Sequence, residues 1–169
     1  MSPLQGLVSN STELIRVMLE RAEESGVELR GQTKTHKTVE GGILQTGGTK
    51  RKIVTSTLIE VVKGGRGGWG FVHLNCSITI IVLQCEMYAD AGFDDILYGF
   101  PFIPSHLERV FRLTSRLEMF HMMVTSEEMC QYLASNEPPE GKSWSVFLKV
   151  NIIILSSIIV QLLWGIDTD

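Results

Sequence analysis

Cysteine is scarce in this 169-residue chain: three residues, Cys76, Cys85 and Cys130, with no C-x-x-C spacing among them. That count excludes a paired disulfide framework and points to a reduced, cytoplasmic setting. The four histidines stand at no i,i+4 spacing, so no metal site is assigned. Charge of one sign is thinly spread as well. Net charge is −4, and the basic run Lys50, Arg51, Lys52 is short, so a nucleic-acid partner is not expected. No uninterrupted apolar run reaches the roughly 20 residues of a membrane-spanning helix. Residues 1–10 hold no basic stretch followed by an apolar core, so no secretory signal is read there.

What is present is a globular balance, 44% hydrophobic and 20% charged, in a length that suits one modest domain. Helical periodicity over 12–25 puts Leu14, Val17, Met18 and Ala22 on one stripe, with Asn10 or Ser11 as the N-cap and Gly26 as the stop. A strand over 27–34, a short helix over 38–45, a strand over 52–56 and a helix from Thr57 follow. Beyond residue 84 the alternation resumes. Helical character over 86–91 ends at Gly92, and a strand covers 94–99. An amphipathic helix spans 105–117, with Leu107, Val110, Phe111 and Leu113 on its apolar side. A strand over 120–124, a helix from Ser126 to Leu133, a Pro/Gly turn and a strand over 144–150 complete the order. Strands alternating with helices imply parallel βαβ units, in a barrel or a doubly wound sheet. Functional groups in such folds gather where strands end, which directs attention to Lys34, Ser56, Gly99, Thr125 and Val150.

The most informative stretch runs from Arg30 to Thr38. At period two, Glu28, Arg30, Gln32 and Lys34 share one strand face. Polar residues in such number fit the open mouth of a barrel better than a surface covered by helices. A lysine in a partly desolvated mouth has a lowered pKa, and its neutral amine can form a Schiff base with an aldehyde cofactor. From the residues alone, an ordinary basic loop after a strand is the alternative reading.

Several motifs in one order narrow that choice. Residues 34–42 (Lys34, Thr35, His36, Lys37 onward), Gly47 to Thr49, and 53–60 resemble the eukaryotic D-serine dehydratase family, as do 89–99 and 144–149. The resemblance covers 26–60 and 85–149 and extends to D-threonine aldolase and the N-terminal barrel of alanine racemase. It implies an α/β fold: a (β/α)8 TIM-type barrel of which about the first five strands are here, the C-terminal β-domain being absent. The implied activity is that of a pyridoxal-phosphate-dependent D-amino-acid lyase, turning D-serine into pyruvate and ammonia. Lys34 is then the catalytic and cofactor-binding lysine, and His36 a second cofactor-binding candidate at the mouth. Lys149 matches a strand-end lysine of the racemase relatives. The family also uses zinc, whose His/Cys ligands have no counterpart in this chain. It forms homodimers, which half a barrel is not expected to do. At Gly31 and Gln32 the chain departs from the Pro and His of the family.

Two segments fall outside the resemblance, an interruption over 61–84 and an apolar tail over 150–169. Removing the interruption joins Glu60 to Cys85 in one family-like helix. Val codons begin with GT and one Gln codon ends in AG, so 61–84 reads as a translated intron, and the divergence at Val150 admits the same reading. The chain is accordingly expected to be an incomplete form, with a catalytically inactive product as the alternative. A genuine insertion, a Gly-rich loop plus a strand, is the other reading of 61–84. Its glycines lack the spacing of a phosphate-binding loop. The tail is read as an aggregation-prone segment and not as a membrane anchor. His121 is read as a satisfied core residue, Asp94 and Asp95 as solvated, and Met119, Met122, Met123 and Met129 as core filler.

Overall fold

A computed structural model describes residues 3–56, 74–152 and 156–163. The elements are α1 (Pro3–Glu24), β1 (Gly31–Gln32), α2 (Val39–Gln45), β2 (Ile53–Thr55), α3 (Leu74–Asp90) and β3 (Asp95–Pro101). A 3-10 turn (Pro104–His106) leads into α4 (Leu107–Arg116). Then come β4 (Met119–Val124), α5 (Glu127–Ala134), β5 (Ser145–Ile152) and β6 (Ser156–Leu163). The sheet order is β1-β2-β3-β4-β5-β6. The first five strands are parallel neighbours in chain order, and β6 returns antiparallel along β5. Helices connecting adjacent parallel strands are the βαβ alternation that the sequence predicts.

Local signals start several helices. Thr38 caps α2, its side chain accepting from the Gly41 N–H, and Ser126 caps α5 by accepting from the Met129 N–H. Pro104 opens the turn before α4. Gly92 follows α3 at φ +86°, a left-handed conformation that glycine adopts without steric cost.

The two faces of the sheet differ in chemistry. Ile53, Ile96, Tyr98, Phe120, Met122, Val124 and Val146 alternate along β2 to β5 and pack with Ile81, Val82, Cys85, Tyr88 and Val110 into one cluster. This is the helix-covered face. Each of its large apolar side chains contributes about 1.5–3 kcal/mol by leaving water, so this layer holds the fold. The other face carries Arg30, Gln32, Asp95, His121, Ser145 and Phe147. Its curvature can be read from one contact. On a flat sheet, β1 and β5 would lie four spacings, about 19 Å, apart. Yet the Arg30 guanidinium sits 5.8 Å from the centre of the Phe147 ring. Only a sheet rolled like a barrel wall brings those strands together, and the partial-barrel expectation is met.

Four expectations are revised. The first helix begins at Pro3, so neither Asn10 nor Ser11 is its N-cap. Its predicted stripe is largely uncovered, with Leu14 70% and Met18 43% exposed. Periodicity marks a face that could pack; it does not supply the partner. In α4, Phe111 is exposed and Thr114 is buried in its place, its hydroxyl donating to the Val110 carbonyl. The strand included in the insertion reading of 61–84 is not found over 74–84, which belongs to the first turns of α3. The helix predicted from Thr57 lies outside the described residues, as do 61–73 of the interruption. Of the tail, 156–163 forms strand β6 and covers the outer edge of β5. No helix among the described residues is long and apolar enough to cross a membrane.

Candidate active site at the strand ends

Parallel pairing carries the C-terminal ends of β1 to β5 to one rim. Gln32 pairs with Val54 and Val54 with Leu97, so Lys34, Ser56 and Gly99 each follow by two residues at a common level. The Gln32 amide donates to the Ser56 hydroxyl at 2.7 Å, tying the rim of β1 to that of β2. The ladder stops at Thr33, which spends both its backbone N–H and its hydroxyl on the Val54 carbonyl. Past it the chain turns, the Lys37 N–H donating to the Thr33 carbonyl at 3.0 Å. The predicted strand over 27–34 therefore shortens to Gly31–Gln32, and Lys34 begins the turn that follows. Lys34 is exposed; it stands at the open rim and not in a desolvated mouth.

The same turn sets His36 against α2. Its Nδ1 accepts the Thr38 N–H at 3.2 Å. Its Nε2 is buried and has no hydrogen-bond partner among the described residues. Glycine at position 41 makes room for the ring: a Cβ there would lie 2.3 Å from the His36 Nδ1. The segment is pinned from the other side by Tyr88 in α3, whose hydroxyl donates to the Thr38 carbonyl at 3.0 Å. Burial pushes the Tyr88 phenol above its ordinary range, which keeps the donor protonated. At Gly99 a Cβ would meet the Val54 Cγ1 at 2.6 Å, so β3 can pass the rim of β2 this closely only without a side chain. Lys149 lies two residues beyond Phe147 on β5, hence on the same face, and is half-buried. Thr125 directly follows the end of β4, as expected, whereas β5 runs on to Ile152, so Val150 lies within the strand and not at its end.

On the same face, reaching from the start of the strands to the row of Gln32, lies a polar cluster that the sequence reading missed. Arg30 donates to the Asp95 carboxylate at 2.6 Å and lies 3.4 Å from the His121 Nε2. That nitrogen is 3.2 Å from the Asp95 Oδ1, while the His121 Nδ1 is 2.7 Å from the Ser145 hydroxyl. The His121 ring meets Phe147 edge-on at 5.2 Å. Asp95, His121 and Ser145 are buried, so the expectation that Asp95 stays solvated is overturned. Burial raises the Asp95 carboxyl, but the hydrogen bonds from His121 and Arg30, aided by their charges, outweigh it and hold the group below the usual carboxylate range. His121 is a satisfied core residue, as the sequence suggested. The signal for its partners was available: an acidic residue opening one strand and a histidine on the next, both facing the arginine that precedes β1. Among the described residues no group of three or more His, Cys, Asp and Glu side chains could hold a metal ion. Cys85 is chemically quiet, its thiol pushed up to about 12 by burial.

No protein-family model matches the chain. It is 32% identical over 139 residues to a D-serine dehydratase of Schizosaccharomyces pombe, covering 80% of this chain and 29% of that one. It is 30% identical over 154 residues to a D-serine dehydratase of Saccharomyces cerevisiae, covering 85% and 32%. Among solved structures, an alanine-racemase-like protein from Idiomarina loihiensis matches with a TM-score of 0.62 at 23% identity, covering 87% of this chain and 33% of that one. D-threo-3-hydroxyaspartate dehydratase from Delftia sp. HT23 matches at 0.61 and 23% identity, with coverages of 83% and 31%. D-threonine aldolase from Filomicrobium marinum matches at 0.61 and 17% identity, with coverages of 83% and 31%. These structural likenesses establish the fold. The chain spans less than a third of the length of the two curated relatives.

Proposed function

We infer, from a chain that resembles the eukaryotic D-serine dehydratases over most of its own length, that it is the cofactor-lysine portion of a pyridoxal-phosphate-dependent D-amino-acid lyase. The observation that carries this reading is Lys34, exposed in the turn directly past β1 at the rim shared by the five parallel strands. Lys34 would hold the cofactor covalently through its ε-amine. His36, with a buried Nε2 that has no partner, would lend a hydrogen bond to the bound group. The residues present fit such a group on two counts: an exposed lysine at the rim, and a buried His36 Nε2 without a partner among the described residues. Bound pyridoxal phosphate supplies an electron sink for the carbanion that forms when Cα of an amino acid loses its proton. The chain's own part is to anchor the aldehyde at Lys34 and to orient it against the strand ends.

By this reading the whole family protein converts D-serine to pyruvate and ammonia, and its substrate is a small D-amino acid. The present chain covers less than a third of such a protein, so attachment of the cofactor is assigned to it and turnover is not. The same reading treats 1–149 as a partial barrel interrupted by 61–84, with 150–169 as a tail foreign to the family. In support, Glu60 and Cys85 flank the interruption in a frame that restores a helix, and exon boundaries at 61 and 84 would establish it. No zinc is assigned to the described residues.

The test is direct. Purified chain is incubated with pyridoxal phosphate, reduced with borohydride, digested and mapped. Label on Lys34, lost in Lys34→Ala, is the expected result. Label spread evenly over the exposed lysines, or absent, overturns the reading.

A further inference from the structure

Strand β1 is held to the sheet by little. It pairs with β2 at two positions, Gly31 with Ile53 and Gln32 with Val54. A strand this short, at the edge of a sheet, has no orientation of its own to hold. Those bonds and the Gln32–Ser56 contact reach β2 alone, and the hold on the strands beyond β2 comes from the side chain just before β1. Arg30 reaches past β2 to Asp95 at the start of β3 and to His121 on β4, and lies over Phe147 of β5. Its guanidinium is therefore tied to three of the other four parallel strands. His121 is fixed in turn by the Ser145 hydroxyl, so the receiving side of the contact is itself braced. A planar fork suits this arrangement, because it meets a carboxylate and an aromatic face at once.

We propose that Arg30 is the positioning residue for Lys34, a clasp across the rolled sheet that sets the direction of β1 and so places the lysine amine at the rim. Arg30 immediately precedes the two residues of β1, and Lys34 follows them in the turn past Thr33, so the short strand carries both. A rotation of β1 that frees the guanidinium swings the amine away from the rim. The clasp works at the far end from the chemistry and touches neither cofactor nor substrate. Its value for Lys34 rests on the reading above, but its effect on β1 does not, and the experiment keeps the two apart.

Amide hydrogen exchange is measured on the full chain and on Arg30→Gln. The Gly31 and Thr33 amides, bonded to the carbonyls of Lys52 and Val54, report on β1. The proposal expects their exchange to quicken at least about tenfold, an opening easier by about 1.4 kcal/mol, while the amides of β4 keep their rates. Borohydride trapping on the same proteins expects the share of label on Lys34 to fall several-fold in favour of other lysines. Unchanged Gly31 and Thr33 exchange, or a rise shared equally by β4, overturns the clasp. Loosened β1 with the Lys34 share intact overturns the positioning role. Phe147→Leu removes only the aromatic face beneath the guanidinium, and a smaller change in the same direction is expected there. This variant decides the matter if Arg30→Gln does not fold. Absence of label from Lys34 in the unsubstituted chain overturns the functional reading alone, and exchange then judges the clasp.

Discussion

The two ends of the rolled sheet are built on opposite plans. At the N-terminal end of the strands, Arg30, Asp95, His121 and Ser145 satisfy one another behind the Phe147 ring. Past the C-terminal end of β1 Lys34 is exposed, and the His36 Nε2 is left without a partner among the described residues. The contrast shows how stability and chemistry divide one face of a barrel wall. A buried charged group is tolerable only when paired and hydrogen-bonded, so the closed end is a matched set. On the proposed reading the other end receives the cofactor, and there the lysine is exposed to solvent. Groups removed from the closed end should therefore cost stability, and groups removed from the open end should cost binding alone.

The sharpest way to break that contrast is Asp95→Ala. It strands the Arg30 guanidinium beside His121, and a loss of about 3–5 kcal/mol is expected, large beside a total stability of about 5–15 kcal/mol. Denaturant titration measures it, and a loss comparable to a surface substitution would contradict the matched-set account. The sign with pH follows from the lowered carboxyl. The folded state favours the ionised form, so the contribution is complete above the ordinary value of about 3.9 and is lost as pH falls through the folded value. The gap between the unsubstituted chain and Asp95→Asn should accordingly narrow in acid.

Gly41→Ala is the next largest. The new methyl would stand 2.3 Å from the His36 Nδ1, so the ring must move. Better helix propensity returns about 0.5–1 kcal/mol, which leaves stability within about 1 kcal/mol while the His36 imidazole resonances shift. Unmoved resonances would show that the rim is looser than described. His106 offers a smaller effect. Burial, then the nearby Arg109 charge, lowers its pKa, and its Nδ1 lies 3.3 Å from the Tyr98 hydroxyl. The unfolded chain takes up the proton first as pH falls through about 6.5, so the folded state loses stability from there downward until the folded imidazole is protonated too. His106→Gln should flatten that part of the melting-temperature profile, and an unaltered slope would exclude His106 as its source. Smallest of all is the stability effect of Lys34→Ala, expected within about 0.5 kcal/mol because the side chain is exposed. A larger loss would place Lys34 among the groups that hold the fold.

Reading the elements in order explains which parts of this architecture were legible. Strands β2 to β5 announce themselves through apolar residues bounded by Gly, Pro and cap residues, because a strand covered by helices must present such residues at period two. Helices α2 and α5 announce their starts through Thr38 and Ser126, whose side chains take the first free N–H groups. The rim position of Lys34 follows from strand order alone. The helical state of 74–84 did not follow, since a β-branched apolar run suits either a strand or a buried helix. Ile81 and Val82, buried in the core cluster with Ile53 and Ile96, belong to the helix. Asp95 was misjudged because its two partners lie 65 and 26 residues away in the chain.

By itself the sequence determined the alternation of strands and helices, the face that each core strand turns inward, and the lysine that stands where β1 ends. Those are local matters, settled by spacing and by neighbouring caps. Only the tertiary structure decided the roll of the sheet, the pairing of Arg30 with Asp95 and His121, the shortening of β1 and the exposure of the α1 stripe. Each depends on which distant side chains arrive at the same place, and contacts across that many residues leave no periodic trace in the chain.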